Sequence, residues 1–245
     1  MIDPTLSIRH RPWPLPKKPW VLSQQWRDLA FIHYRVDAAE LRRLLPAELT
    51  VQELDGSAWV GVVPFRMEDV APRGLPALPG ISTFPELNVR TYVEAEGKAG
   101  VWFFSLDALS RMAVFGGRFL YGLPYFQAEM SQKEENGWIH LQSRRCKGKA
   151  AFSGRYRGVG EPFLAEAGTF AHWATERYCL YSCHRDGRLI RLDVHHLPWP
   201  LQNGEARITA SDILAAAEIH ASDELPRVHF SRGVEVISYG PEFLA

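Results

Sequence analysis

The chain carries no surplus of charge, little cysteine and no long apolar run. Lysine plus arginine and aspartate plus glutamate number 28 each. There is thus no net positive field to follow a phosphate backbone or to hold the chain on an anionic membrane, and nucleic acid is not an expected partner. No stretch approaches the roughly 20 apolar residues that cross a bilayer as a helix, so no membrane partner is expected either. The three cysteines, Cys146, Cys179 and Cys183, make an odd number, and the opening residues lack a secretory pattern. Both features suit a reducing compartment, and a cytoplasmic location is the expectation.

The common marks of catalysis and cofactor binding are also missing. No G-x-S-x-G elbow and no G-x-x-x-x-G-K phosphate loop occurs, and RGVGEP (157–162) lacks the helix that would give a glycine loop meaning. CLYSCH (179–184), with His195 and His196 beyond it, invites a metal reading. In an extended segment, however, Cys179 and Cys183 stand about 13 Å apart at about 3.3 Å per residue, too far to share a tetrahedral ion or a disulfide. No metal and no cofactor are expected, and buried core cysteines are the plainer reading. One imidazole of the His195-His196 pair should face each side of a strand, one in water and one hydrogen-bonded in the core, and the sequence leaves open whether either serves a site.

What is present points to sheet. At 245 residues, 46% apolar and 23% charged, the chain can bury a sizeable core, and one β-rich domain over 1–245 is expected. Residues 1–20 form a Pro-rich arm whose stretch PWPLPKKP (12–19) is extended and straps Trp13 and Trp20 onto the body. In FIHYRVDAAELRRLLP (31–46), Phe31 alternates with His33 and Arg35 as in a strand; Asp37 and Glu40 then open a short helix that Pro46 ends. SAWVGVVPF (57–65) reads as a strand in which Pro64 marks an edge or a bulge. Residues 71–85 hold so many prolines and glycines that a long loop is expected, either a lid or a plain surface excursion.

ELNVRTYV (86–93) and VWFFSLDA (101–108) form a hairpin. Side chains two apart share a face, so Glu86, Asn88, Arg90 and Tyr92 lie together, opposite Leu87, Val89, Thr91 and Val93. Such a polar face meets water or lines a wet cavity inside a barrel. A helix over 108–121 follows, capped by Asp107, with Gly116-Gly117 demanding close packing against another element. Further strands are expected at 137–146 and 149–158, a helix near 169–176, a hairpin through 177–196, a helix at 211–219 and a closing strand in VHFSRGVEVISY. Many strands with few short helices predict a barrel or cone of antiparallel sheet.

Three segments, YRVDAAELRRLLPAEL (34–49), PELNVRTYVEAEGKAGVWFFSLDALSRMAVFGGRFLYGLPYFQAEM (85–130) and within it GGRFLYGLP, resemble the acetoacetate decarboxylase-like superfamily. FIHYRV, TERYCLY and HHLPWPLQ extend that resemblance to a bacterial branch of unknown function. The resemblance implies a closed, mainly β, acetoacetate decarboxylase-like cone with a mostly apolar interior, assembled as a homo-oligomer. In the decarboxylases the turn continues Pro-Lys-Lys, the first lysine forming a Schiff base with a keto acid and the second keeping it uncharged. Here Pro124 is followed by Tyr125 and Phe126. A phenol has no nitrogen with which to form an imine, and Lys147 and Lys149, which share a parity and could stand in, read as exposed strand lysines.

By the same resemblance Glu86 falls at the position of the family's cavity glutamate and Arg35 near a substrate-carboxylate arginine. Glu86 and Tyr125 are thus the candidate catalytic pair, with His33, Arg35, Asn88, Arg90, Tyr121 and Phe126 as candidate ligand-binding residues. Three readings stand: a pocket that binds a small carbonyl- or carboxylate-bearing molecule without decarboxylating it, a lysine-independent lyase or isomerase using Glu86 and Tyr125, and a barrel filled by its own side chains.

Overall fold

The computed structural model describes residues 7–244. In chain order the elements are β1 (Trp20–Val36), α1 (Ala38–Arg43), β2 (Thr50–Val51), β3 (Ala58–Pro72), β4 (Phe84–Ala95), β5 (Lys98–Ala108), α2 (Arg111–Tyr121) and β6 (Tyr125–Glu135). They continue with β7 (Trp138–Arg145), β8 (Ala151–Phe163), α3 (Phe170–Thr175), β9 (Cys179–Cys183), β10 (Leu189–His196), β11 (Leu201–Ser211), β12 (Arg227–Tyr239) and β13 (Glu242–Phe243). The fold is mainly β, as the sequence implies. Two-residue turns of left-handed backbone, Glu96-Gly97 and Asn136-Gly137, join β4 to β5 and β6 to β7, the geometry that matches the natural strand twist.

All strands belong to one sheet, which the extra pairings β4–β5 and β10–β12 close on itself. One ring runs through β1, β3, β4, β5, β9, β10 and β12; a second passes from β5 through β6, β7, β8 and β11 to β12 and shares the β1–β3–β4 wall. The pairing is antiparallel except at β5, which runs parallel to both β6 and β9. The cause is α2, which carries the chain back so that β6 enters alongside β5 in the same direction.

The shared wall explains the alternation in β4. Leu87 and Val89 enter a packed core with Ile32, Val60, Leu141 and Phe152, whereas Glu86, Asn88 and Arg90 face the interior of the first ring. Pro64 is not at an edge, because β3 pairs on both sides. It sits opposite a bulge, where residues 28–31 of β1 face residues 63–65 of β3 and Asp28 adopts a φ of 54°, so its missing N–H is lost where the ladder is already broken.

Several expectations are corrected. The cap of α2 is Ser110, whose side chain accepts from Ala113 N. Asp107 stays in β5, paired with Arg145 at 2.7 Å. The 211–219 helix is only a 3-10 turn at Ala215–Ala217, held between buried Ile213 and Ile219, because β11 takes the chain as far as Ser211. Both His195 and His196 are buried. The N-terminal arm causes this by lying over β10, with Arg11 Nη1 donating to the Val194 carbonyl at 2.6 Å and Trp13 Nε1 to Asp193 at 2.9 Å. Trp13 is thus strapped down as expected, while Trp20 instead opens β1; residues 1–6 of the arm lie outside the described residues.

The glycine pair of α2 behaves asymmetrically. A Cβ on Gly117 would overlap the Tyr125 ring, whereas one on Gly116 meets nothing within 4 Å. Gly117→Ala should therefore cost about 1–3 kcal/mol of stability, and Gly116→Ala should be neutral or stabilising by up to about 1 kcal/mol. Urea denaturation of the two variants checks this.

Candidate functional site

The first ring encloses a chamber of about 510 Å³. Its wall is largely apolar, built from residues such as Trp26, Val63, Phe65, Phe103, Leu106 and Trp199. The polar groups are concentrated on β4 and at the start of β6. Glu86, Asn88 and Arg90 project inward from alternate positions of β4. Across β5, where Ala108 pairs with Glu86 and Leu106 with Tyr125, the Tyr125 hydroxyl donates to Glu86 Oε2 at 3.0 Å. Tyr121, from the last turn of α2, lines the same chamber.

Burial sets the electrostatics of this wall. Glu86 is 1% exposed, and desolvation pushes its carboxyl up to about 8, against the pull of hydrogen bonds from Tyr125 and Asn88 and with a push from the nearby Asp107. Burial, with Glu86 beside it, holds the Tyr125 phenol well above its ordinary range, so it remains a donor. Near neutral pH the pair is a neutral acid accepting from a neutral phenol. Arg90 has no carboxylate partner among the described residues. Its Nη2 donates to the Ala174 carbonyl at 3.3 Å and its guanidinium lies 5.5 Å from the Phe31 ring centre. Arg90 Nε and Asn88 Oδ1 are buried without a protein partner, which is uncommon for interior polar atoms.

Glu86, Asn88, Arg90, Tyr121 and Tyr125 are thus brought together. The other three candidates are not. His33 lies beside the chamber in the aromatic core, its Nε2 2.5 Å from the Tyr92 hydroxyl and its ring edge-on to Phe170; burial and the neighbouring Arg90 hold it well below its ordinary range, so it is neutral. Arg35 points outward, donating to Ser57 and pairing with Glu224 at 3.0 Å, with its guanidinium over Trp59. Phe126 follows Tyr125 in the strand and faces the opposite way, with the Arg145 guanidinium 3.9 Å from its ring centre.

The sequence marks the 71–85 loop as a lid or a surface excursion but does not point to α2 as the other side of the chamber mouth. Leu75, Leu78 and Ile81 from the 73–83 loop and Met112 and Leu120 from α2 line it while remaining exposed. Apolar residues in a Pro-Gly-rich loop, and on the outer side of an already apolar helix, were the available signal. The chain's lysines, Lys17, Lys18, Lys98, Lys133, Lys147 and Lys149, all lie outside the chamber lining, and Lys147 and Lys149 are exposed. Among the described residues no group of three or more His, Cys, Asp or Glu side chains is arranged to hold a metal ion.

Residues 23–235 match the model of the DUF2071 family, described as an uncharacterized conserved protein. The chain belongs to that family. Over 224 residues, 91% of this chain and 92% of the other, it is 41% identical to the uncharacterized protein YqjF of Bacillus subtilis (strain 168). Among solved structures it is similar to acetoacetate decarboxylase from Legionella pneumophila, with a TM-score of 0.65 and 16% identity over 100% of this chain and 95% of that one. It is also similar to the enduracididine biosynthesis enzyme MppR complexed with pyruvate, with a TM-score of 0.63 and 14% identity over 96% and 93% of the two chains. The DUF2071 chain therefore has the acetoacetate decarboxylase-like fold.

The raised carboxyl of Glu86 carries a pH signature. The folded state holds this proton up to about pH 8, whereas the unfolded chain releases it in the ordinary glutamate range. Between those limits the folded state binds more protons, so stability falls as pH rises, by up to about 1.4 kcal/mol per pH unit. Glu86→Gln should remove that slope and be relatively more stable at the alkaline end. Urea midpoints of both proteins from pH 5 to about 8 measure it.

Proposed function

We propose that this DUF2071 chain binds a small organic acid or carbonyl compound in its chamber and does not form a Schiff base with it. The observation that carries the reading is the polar wall of Glu86, Tyr125, Asn88 and Arg90 set into an otherwise apolar chamber. Arg90, buried without a carboxylate, supplies positive charge for an anionic head group. Glu86, protonated near neutral pH, offers an O–H to a carbonyl or carboxylate oxygen. Asn88 Oδ1 accepts from a hydroxyl or amide, and the apolar walls take the rest of the molecule. That the similarly folded MppR is known complexed with pyruvate, a keto acid, supports a ligand of this class. The work is assigned to the cytoplasm, consistent with the thiols being free.

Imine chemistry needs an amine, and the residue set against Glu86 is a phenol. A second reading is favoured by the raised carboxyl of Glu86. A glutamate poised near neutrality can move a proton beside a carbonyl while Tyr125 stabilises the developing oxyanion, as a lyase or isomerase requires.

Borohydride reduction in the presence of a panel of keto acids, read by intact mass, should give no adduct; an adduct mapped to any lysine would sink the proposal. In a thermal-shift screen of carboxylates and keto acids, a hit should raise the Tm of the wild type. Arg90→Gln should weaken that hit about 10- to 100-fold, the loss of one charge-assisted hydrogen bond, and Arg35→Gln should leave it unchanged. If instead a substrate turns over, Glu86→Gln and Tyr125→Phe should each lower the rate with the fold intact.

A further inference from the structure

The 28 cations and 28 anions balance over the whole chain, yet they are sorted at the mouth of the chamber. The opening lies between the 73–83 loop and α2, whose lining residues Leu75, Leu78, Ile81, Met112 and Leu120 are 41–64% exposed. On α2, Met112, Phe115, Phe119 and Leu120 follow helical spacing, and the Phe115 and Phe119 rings stack with centres 5.7 Å apart. The opposite side of the same helix, Val114 and Gly117, is packed down onto the core. An apolar stripe on the outer side of a helix, adjoining exposed loop leucines, is the kind of patch that marks a contact surface.

Charge identifies what covers it. Residues 70–85 and 108–128 contain no aspartate or glutamate, while Arg73, Arg111 and Arg118 in them are exposed. Arg185 joins them, its guanidinium 4.6 Å from the Phe119 ring centre. Of the acids that flank these stretches in sequence, Asp107 is buried with Arg145, Glu86 is buried, Asp69 accepts from Gln25 and Glu129 is exposed; Asp186, next to Arg185, is held by Arg188 and His184.

We propose that the mouth of the chamber docks onto an anionic lipid surface. The outer stripe of α2 and the tip of the 73–83 loop enter the boundary between head groups and acyl chains, and the arginine rim meets the lipid phosphates. A second copy of this chain suits the face less well: a two-fold contact sets one arginine rim against another and shuts the opening. Docked this way, the chamber opens directly toward the bilayer. The proposal concerns the mouth alone and stands or falls independently of what the Glu86–Tyr125 wall binds.

Flotation with vesicles of phosphatidylcholine, alone or mixed with phosphatidylglycerol, tests it on the full chain. The expected result is binding to the mixed vesicles that fades as salt rises, with little binding to the neutral ones. Arg111→Gln and Arg185→Gln should each lower the partition coefficient about fivefold, and Phe115→Ser, at a site 70% exposed, should lower it further with an unchanged circular dichroism spectrum. Equal affinity for both vesicle types, or variants that bind like the wild type, would overturn the proposal. So would sedimentation showing a dimer that Phe115→Ser disperses, which would assign the face to a second copy.

Discussion

The hydrogen bond between Tyr125 and Glu86 is the constraint around which the neighbouring chain is arranged. To place a phenol there, β6 must begin beside the end of β5, and α2 must come down on the ring closely enough that position 117 admits no Cβ. The helix then has to stop at once. Gly122 does this with a left-handed φ of 61° while pressed against the Cys183 carbonyl, a place where a side chain has neither the backbone angle nor the room. GGRFLYGLPY is therefore a packing specification for one tyrosine, and its glycines and proline serve that placement.

The chamber is graded from its interior to its mouth. An acid kept neutral by burial, a phenol kept protonated and an arginine with no carboxylate partner among the described residues share one wall. The remainder is largely aliphatic and aromatic, and the exposed lining residues at the mouth, Leu75, Leu78, Ile81, Met112 and Leu120, are apolar. Desolvation sustains this arrangement: the low dielectric that raises the Glu86 carboxyl also strengthens the pull of Arg90 on an anion. A guest with a polar head and an apolar body meets complementary surroundings along its length.

Much of this was legible in local pattern. The period of two in ELNVRTYV places three polar residues on one wall, and the resemblance to acetoacetate decarboxylases pairs Glu86 with Tyr125 before any coordinates. What local pattern does not carry is which distant strand claims a residue. Asp107 has the look of a helix cap, but across the sheet Arg145 and Ser143 take its oxygens. The resemblance sets Arg35 near an expected anion ligand, but its strand turns it toward Glu224, and the inward arginine is Arg90. The two histidines would each have had a water-facing or core-facing side, had the N-terminal arm not covered β10. Cross-sheet register and the path of the arm are set by the packed whole, which no window of sequence contains.

The double duty of β4, walled by a different interior on each side, makes the molecule its own proofreader. A slip of one residue would push Glu86 and Arg90 into the greasy lobe and turn Leu87 and Val89 into the chamber. Most half-buried strands that misalign merely expose some hydrocarbon to water. Here both interiors reject the mistake at once, so the alignment that builds the lobe is the same one that aims the acid.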